Sequence, residues 1–466
     1  MLIRTIFPFL ILALTLGMVA TPELTAMTQT QGFLSVKGTS IVDSSGRVVV
    51  LRGVNYPGYE HTNPRPHQES AYQTFARLGF NVVRLPISWG NLEPFPGAFY
   101  STYLGNYVDR DVRWAKKYGI YLILDMHQFN WASRFGGSGV PDWAVSKYPR
   151  SKNGMLQAVS EFWNNTALQD HLSNLWTKVA LRYAKEPTIA GYDLLNEPWI
   201  YSSVIPNLNA SHVESFYVKV IESIRGVDSN HVIFLEPANV HSDNFPMKDN
   251  IVWSPHFYPL SFAGHYDPQN ITVLRADLDA KYRKFVLEMG SPLWVGEFGA
   301  FMQDASSVQW LQDALALFRE YQIGWAWWAY SRTRGSFSFT SLVKALDLSM
   351  TGNASTNASQ PMRVQAPEGL SSTQLTSDQP SLVVPSHVYN AVLLSIALIA
   401  ACLIVSSPTL RGRSAIQQPS MKPPASGFEN RSRTRPFWRA GSFLAVLPNQ
   451  PAFQVDGVES AYREAA

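Results

Sequence analysis

Residues 189–198 read IAGYDLLNEP, an apolar run that ends in an amide, a carboxylate and a proline. The apolar positions are nearly continuous rather than alternating, which is typical of a β-strand buried on both faces. Pro198 cannot donate to a strand ladder, so the strand has to end beside Asn196 and Glu197. The run therefore predicts a buried strand whose carboxyl end presents two polar side chains.

Seven further runs of the same kind occur along the chain. They occupy residues 48–56, 81–88, 120–128, 231–237, 251–259, 293–299 and 324–331. Amphipathic helix patterns lie between them, and in one of these Leu172, Trp176 and Val179 repeat at helical spacing. Eight buried strands that alternate with helices predict an α/β fold of the (β/α)8 type, a TIM barrel. A doubly wound open sheet is the alternative, but RGVNYPGY after the first run is a poor glycine-rich phosphate loop.

The predicted strands from the second to the eighth carry polar or aromatic side chains near their carboxyl ends. These are Arg84, Asp125, His127, Asn196, Glu197, Glu236, His256, Tyr258, Glu297, Trp327 and Trp328. A TIM barrel places its functional residues at the carboxyl ends of its strands. We therefore expect Glu197 and Glu297, on the fourth and seventh strands, to converge over the barrel mouth. Two converging carboxylates suit glycoside hydrolysis, in which one protonates the leaving oxygen and the other stabilises or attacks the anomeric carbon.

Aromatic side chains near the predicted site offer surfaces on which sugar rings can stack. They are Trp89, Trp131, Trp143, Trp163, Trp199 and Trp328. Trp131, Trp143 and Trp163 could equally belong to a loop core. No cluster has the spacing of metal ligands; His256 and Tyr258 could belong to a metal site, but hydrogen bonding beside the carboxylates is the favoured interpretation. We expect neither a metal nor another cofactor.

At these positions the sequence resembles glycoside hydrolase family 5, the cellulase family. LLNEP is similar to its acid/base motif and WVGEFG to its nucleophile motif, while RLPISW, DMHQ, SPHFYP and WWAY resemble its other site motifs in the same order. The resemblance covers about residues 34–345. It implies a retaining double displacement in which Glu197 is the acid/base and Glu297 is the nucleophile.

The resemblance also implies roles for the neighbours of the pair. Tyr258 would hold Glu297, His256 would lie near Glu197, and Arg84 would keep the nucleophile ionised. A nucleophile needs a lowered pKa and an acid needs a raised one, so we expect these shifts for Glu297 and Glu197 respectively.

Three more side chains are implied to contact the sugar. Asn196 would hydrogen-bond its 2-hydroxyl, His127 would touch it in the reacting subsite, and Trp328 would stack beneath it.

Three further carboxylates receive supporting or structural interpretations. We expect Asp125 to be buried and hydrogen-bonded at its strand end, and Glu236 to support the site without acting as the acid. Asp193 is expected either to face away from the pair by strand alternation or to pack low in the barrel.

The segment after the third strand bears on the substrate. FGGSGVPDWA, residues 135–144, resembles a loop of the endoglycosylceramidase branch, whose members cut glycans from ceramide, although Phe129 and Asn130 stand where that branch is expected to carry an acidic residue. An open mouth with aromatic loops favours an endo-β-glucanase acting on a β-linked oligo- or polysaccharide, with glycolipid hydrolysis as the alternative. An inactive surface carbohydrate-binding protein is the alternative of another class, but it has no need of both glutamates.

Both ends of the chain carry membrane signals. Arg4 and the apolar run after it are typical of a secretory signal peptide, with an uncleaved anchor as the alternative. Val388–Val405 has no charge in 18 residues, about the minimum for a membrane span. The predicted segments are a signal peptide (1–26), the barrel (32–345), a Ser/Thr/Asn/Pro-rich linker (346–386), one transmembrane helix (388–405) and a basic, disordered tail (406–466).

The charge distribution predicts the topology and excludes one class of partner. Basic residues concentrate after the predicted span, so we expect a single-pass cell-surface protein with its barrel outside and its tail in the cytoplasm. The whole chain has 38 basic and 35 acidic side chains, a net charge of +3, which gives no reason to expect nucleic acid as a partner. The expected partners are a β-linked glycan or glycolipid and the membrane.

Overall fold

The computed structural model describes residues 31–198, 205, 207–237, 245–246, 249–300, 305–330 and 339–351. The predicted signal peptide, the predicted transmembrane helix, the tail, Trp199 and nearly all of the linker lie outside these residues. Within the described part of the chain, no helix combines the length and the apolar character needed to cross a membrane.

Eight parallel strands form the central sheet. The strands of the chain are β1 (Ser35–Lys37), β2 (Ser40–Val42), β3 (Arg52–Asn55), β4 (Val82–Ile87), β5 (Tyr121–Met126), β6 (Ile189–Asp193), β7 (Val232–Leu235), β8 (Ile251–Trp253), β9 (Trp294–Phe298) and β10 (Gly324–Trp327). The order in the sheet is β8-β7-β6-β5-β4-β3-β10-β9. Parallel bridges from Trp253 to Leu293 and from Phe257 to Phe298 join the two end strands, so the sheet closes. The predicted (β/α)8 architecture is confirmed.

Helices surround the sheet and connect its strands. They are α1 (Glu69–Arg77), α2 (Trp89–Leu92), α3 (Ser101–Tyr103), α4 (Asp109–Tyr118), α5 (Asp142–Val145), α6 (Lys152–Asn164), α7 (Thr166–Tyr183), α8 (Ala210–Arg225), α9 (Ile271–Tyr282), α10 (Ser306–Glu320) and α11 (Phe339–Thr351). α7 and α8 bury the apolar faces that their spacing predicts. The Asn165 side chain caps α7 by accepting from the N–H groups of Ala167 and Leu168.

A short antiparallel hairpin, β1–β2, packs against residues of the barrel strands. Leu34 and Ile41 pack in one cluster with strand residues that include Leu51 and Val232. The Val36 N–H donates to the Asn250 side chain at 2.8 Å, which ties the hairpin to the loop before β8. This hairpin was not predicted from the sequence.

Two boundaries differ from the prediction. The first predicted strand, residues 48–56, is shorter in the structure because only Arg52–Asn55 joins the barrel, while Val48 forms an antiparallel bridge with Val42. α11 continues to Thr351, past the predicted end of the barrel at residue 345. Leu342 and Ala345 are fully buried, so packing of this helix against the barrel extends the folded body.

Candidate active site

The carboxyl ends of the strands bring the predicted polar residues together. In chain order they are Arg84 in β4, Asp125 in β5, His127 after β5, Asn196 and Glu197 after β6, Glu236 after β7, His256 and Tyr258 after β8, Glu297 in β9, Trp327 in β10 and Trp328 after β10. The side chain of Glu197 is 28% exposed, whereas that of Glu297 is only 3% exposed. Solvent therefore reaches the pair from the side of Glu197.

Glu197 and Glu297 converge as predicted. One carboxylate oxygen of each lies within 4.8 Å of the other and of a ring nitrogen of His256. Retaining glycosidases hold their two carboxyl groups roughly 5–5.5 Å apart, whereas inverting ones leave roughly 6.5–9.5 Å for a water molecule. The spacing suits direct attack by one carboxylate on the sugar.

Glu197 has an unusual backbone conformation. Its φ is +42°, in the left-handed region that a β-carbon disfavours. Its N–H donates to Oε2 of Glu236 at 2.7 Å, and its carbonyl accepts from Nε2 of Gln128 at 2.9 Å. Such a conformation persists only when surrounding contacts hold it. These two bonds fix the peptide groups on both sides of Glu197.

Arg84 is fully buried at the centre of a cluster of four carboxylates. It donates from Nη1 to Glu297 at 2.7 Å, from Nη2 to Glu236 at 2.7 Å, and from Nε to Asp193 at 2.9 Å. An oxygen of Asp125 lies 3.1 Å from Nη1. A buried cation requires such partners, and one of these four is the expected nucleophile.

The contact with Arg84 decides between the two positions expected for Asp193. Its side chain points into the barrel interior, so it packs low beneath the site and does not face away from it. Burial raises the pKa of Asp193 well above its ordinary value, because the charges of Glu236 and Asp125 add to burial and together outweigh Arg84. The position favours a neutral carboxyl group.

His256 and Tyr258 contact Glu197 and Glu297 as the resemblance implies. The Tyr258 hydroxyl donates to Oε2 of Glu297 at 3.0 Å. Nδ1 of His256 lies 3.0 Å from Oε1 of Glu197 and 3.5 Å from Oε2 of Glu297. Its Nε2 lies 3.2 Å from Oε1 of Glu236. The imidazole therefore stands among three carboxylates.

His127 contacts Asp125 and Trp328. Its Nδ1 is 2.7 Å from Oδ2 of Asp125, which is buried and hydrogen-bonded as expected. Its ring is nearly parallel to that of Trp328, with 5.2 Å between centroids. Among the residues that the structure describes, Nε2 of His127 is buried without a hydrogen-bond partner. This nitrogen is the one that could bind a sugar hydroxyl.

The Asn196 amide is engaged by protein groups at both ends. Its Oδ1 accepts from Nη2 of Arg84 at 2.9 Å, and its Nδ2 donates to the carbonyl of Gln128 at 3.0 Å. These bonds fix the orientation of the amide directly before Glu197. A sugar hydroxyl would have to share this amide with its protein partners.

The electrostatics of the pair differ from the expectation. Burial raises the pKa of Glu197, but the hydrogen bond and charge of His256 outweigh it and hold that pKa below its ordinary value. Burial raises the pKa of Glu297 above its ordinary value, against the charges of His256 and Arg84. Both directions are the reverse of those predicted, because Glu297 is the more deeply buried group and Glu197 is the one bonded to His256. Burial lowers the pKa of His256, yet the surrounding carboxylates hold it well above its ordinary value.

Most of the tryptophans expected near the site are packed in the core. Trp89, Trp131, Trp163 and Trp328 are at most 3% exposed. Trp143 is half-buried, and its Nε1 donates to the carbonyl of Glu93 at 2.8 Å. Trp131, in the loop after β5, and Trp163, in α6, are therefore core residues rather than open sugar platforms.

Within the described ranges, two groups of side chains are close enough to hold a cation. Glu197, His256 and Glu297 form one, and Asp125, Asp193 and Glu236 form the other. Arg84 contacts every carboxylate of the second group, so its guanidinium already supplies the positive charge there.

Two residues of the site were missed or undervalued from the sequence. Asn55 ends β3, accepts from Nη1 of Arg84 at 3.0 Å and donates to the carbonyl of Gly296 at 3.0 Å. Asn55 could have been found from the sequence, because it is a polar residue near the end of a predicted strand. Gln128 is the last residue of the DMHQ motif, but nothing local to it indicates that it holds the peptide groups of Asn196 and Glu197.

Comparisons with known proteins agree with this geometry. A family model described as Cellulase (glycosyl hydrolase family 5) matches residues 42–334. The chain is 27% identical over 344 residues to "Endoglycoceramidase I" of Rhodococcus hoagii, covering 64% of this chain and 68% of that protein. It is 24% identical over 316 residues to "Endoglucanase C" of Acetivibrio thermocellus, covering 57% and 84% respectively.

A solved structure with a bound glycolipid is also similar. It is "Endo-glycoceramidase II from Rhodococcus sp.: Ganglioside GM3 Complex", at 25% identity and a TM-score of 0.57. The match covers 66% of this chain and 81% of that one.

Proposed function

The chain belongs to glycosyl hydrolase family 5, and on that premise we propose that Glu197 and Glu297 perform a retaining double displacement. Glu297 attacks the anomeric carbon while Glu197 gives its proton to the leaving oxygen. Glu197 then takes a proton from water, which hydrolyses the bond between Glu297 and the sugar. The separation of the two carboxylates, within 4.8 Å, carries this proposal.

The charges around the pair suit each step. Arg84 and Tyr258 bind separate oxygens of Glu297, which orients the nucleophile and disperses its charge. The active form holds one proton on the carboxylate pair. When Glu297 becomes an ester it loses its charge, and the His256 imidazolium then stabilises Glu197 as the carboxylate that activates water. The lowered pKa of Glu197 thus favours the second step.

We propose a β-linked glycolipid as the substrate, ahead of the β-glucan favoured by the sequence alone. The described tryptophans near the site are buried or packed, so they give little support to a cleft that stacks a long polysaccharide. Among the residues that the structure describes, Phe262 offers an exposed ring beside the site, and it is 38% exposed. Its centroid lies 5.9 Å from that of Tyr258, the tyrosine bonded to Glu297. An apolar ring at that position suits a lipid aglycone, and the glycolipid named in the similar solved structure supports the same choice.

A β-1,4-glucan remains the second candidate substrate. The likeness to the endoglucanase of Acetivibrio thermocellus favours it. An inactive carbohydrate-binding protein is disfavoured, since both carboxylates and their supporting contacts are complete.

Hydrolysis of a glycosylceramide in detergent, compared with hydrolysis of soluble β-1,4-glucan, tests the choice of substrate. We expect release of intact oligosaccharide from the ceramide at a rate well above that of glucan cleavage. Rapid glucan cleavage with no attack on the ceramide linkage would restore the endoglucanase assignment.

We further propose that the barrel is displayed outside the cell on a membrane anchor at residues 388–405. Support comes from the uncharged run at these residues and from the basic residues that follow it. Protease treatment of intact cells should release an active barrel and leave the basic tail protected. Digestion of the tail with retention of the barrel would reverse the orientation.

A further inference from the structure

Glu236 is a buried carboxylate beside the catalytic pair to which the proposed mechanism gives no chemical step. It directly follows β7, and its side chain is 3% exposed. Its backbone carbonyl accepts from the Tyr217 hydroxyl at 2.8 Å, which holds the chain at this point. Its side chain reaches three residues of the site at once.

Glu236 accepts hydrogen bonds from two residues and lies close to the ring of His256. Oε2 accepts from the N–H of Glu197 at 2.7 Å. Oε1 accepts from Nη2 of Arg84 at 2.7 Å and lies 3.2 Å from Nε2 of His256. A carboxylate can accept at both oxygens, whereas an amide replaces one of them by a donor. The position therefore requires Glu rather than Gln.

We propose that Glu236 is a positioning residue of the reaction, whose carboxylate fixes the backbone of Glu197 and couples it to Arg84 and His256. The inference rests on the proposed function, in which Glu197 is the acid/base.

The backbone of Glu197 explains why its N–H needs a strong partner. The residue adopts φ +42°, a conformation that contacts from outside must hold. A charged acceptor strengthens a hydrogen bond from a backbone N–H. Rotation of this peptide would swing the Glu197 side chain away from the leaving oxygen. A displacement of about 1 Å in a reacting group can cost about 10²-fold in rate.

The same carboxylate also reaches the nucleophile indirectly. Arg84 donates to Glu236 through Nη2 and to Glu297 through Nη1. His256 lies near Glu236 through Nε2 and near Glu197 through Nδ1. Glu236 thus contacts both Arg84, which binds Glu297, and His256, which lies beside Glu197.

The dependence of kcat/KM on the leaving group distinguishes a misplaced acid from a general loss of active structure. Protonation by Glu197 matters greatly for a poor leaving group and little for a good one. In Glu236→Gln we expect kcat/KM to fall about 10²-fold for phenyl β-lactoside and less than about tenfold for 2,4-dinitrophenyl β-lactoside. Glu236→Asp keeps the carboxylate but shortens the side chain by one methylene. We expect kcat/KM to fall again more for phenyl β-lactoside than for 2,4-dinitrophenyl β-lactoside, with both losses smaller than in Glu236→Gln. Glu236→Asp also serves as the test if Glu236→Gln does not fold.

Asp228→Asn provides the matched control. Asp228 is a buried carboxylate that precedes β7, at the opposite end of the barrel, where it pairs with His231 and accepts from the Tyr192 hydroxyl. Its replacement should lower thermal stability and change kcat/KM by the same factor for both lactosides. Equal losses for both lactosides in the Glu236 variants as well would overturn the inference.

Covalent labelling of the wild-type enzyme separates the two claims. One possible outcome is that a 2-deoxy-2-fluoro β-lactoside labels Glu297 while the Glu236 variants lose kcat/KM equally for both lactosides. That outcome overturns only the positioning role of Glu236. Failure to label Glu297 overturns the proposed function and this inference together.

Discussion

Nδ1 of His256 lies 3.0 Å from Oε1 of Glu197. This contact makes the expected acid/base the carboxylate with the lowered pKa, since the imidazolium stabilises its ionised form. A general acid must be protonated before it can act, so a lowered pKa restricts the first step to acidic conditions. We therefore expect the pH–rate profile of kcat/KM to have its maximum below neutrality, and a maximum above pH 7 would contradict this account.

His256→Asn should move that profile upward. The hydrogen bond and charge of His256 lower the pKa of Glu197, and its charge also lowers the pKa of Glu297. Removal of the imidazolium lets both values rise, so both limbs of the profile should shift to higher pH, by about one unit. His171→Asn, a half-buried histidine on α7 outside the site, should leave the profile in place. A shift to lower pH would contradict the assignment.

Arg84→Met should damage both stability and activity. The side chain is fully buried, and its loss leaves carboxylates without their cation. Removal of one partner from a buried ionic cluster costs about 3–5 kcal/mol of unfolding free energy. Denaturant titration measures the loss. Arg225→Met, which removes a half-buried arginine at the other end of the barrel, should cost less and should leave kcat of the folded fraction unchanged. Equal losses in the two variants would contradict the central role of Arg84.

Phe262→Ser tests the apolar aglycone. The substitution removes the exposed ring next to Tyr258 and leaves the carboxylates untouched. We expect KM for a glycosylceramide to rise about tenfold, which corresponds to about 1.4 kcal/mol of lost apolar contact, while hydrolysis of a soluble aryl glycoside stays the same. Phe95→Ser is the matched control, because Phe95 is 62% exposed but lies on the loop after α2. Equal effects of both substitutions on the ceramide would remove the support for a specific lipid contact.

The barrel could be predicted because each of its strands has its own apolar run in the sequence. Every residue of Val82–Ile87 is buried, and the sequence shows this as a run that is apolar except for Arg84. The positions of Glu197 and Glu297 followed from the fold, since strand ends meet at one face of a barrel. The start of the first barrel strand could not be predicted from apolar character. Val48 is as apolar as a barrel residue, but it pairs with Val42 of the hairpin.

The details of the site depend on contacts between distant residues. The left-handed conformation of Glu197 is held by Glu236 and Gln128, which are 39 and 69 residues away in the chain. The pKa directions depend on which carboxylate His256 bonds and which is the more deeply buried, and neither is visible in a motif. Burial of Trp131 and Trp163 depends likewise on how the loop after β5 packs on α6.

The measurement that bears most directly on the mechanism is covalent trapping with a 2-deoxy-2-fluoro β-glycoside, followed by peptide mass analysis. The fluorine slows both formation and hydrolysis of the glycosyl-enzyme. Because an activated leaving group still allows the formation step, the nucleophile accumulates as its glycosyl ester. We predict stoichiometric labelling of Glu297, abolished in Glu297→Gln, which should also lack turnover. Labelling on Glu236 or Asp125, or turnover with inversion at the anomeric carbon, would contradict the assignment of Glu297 as nucleophile.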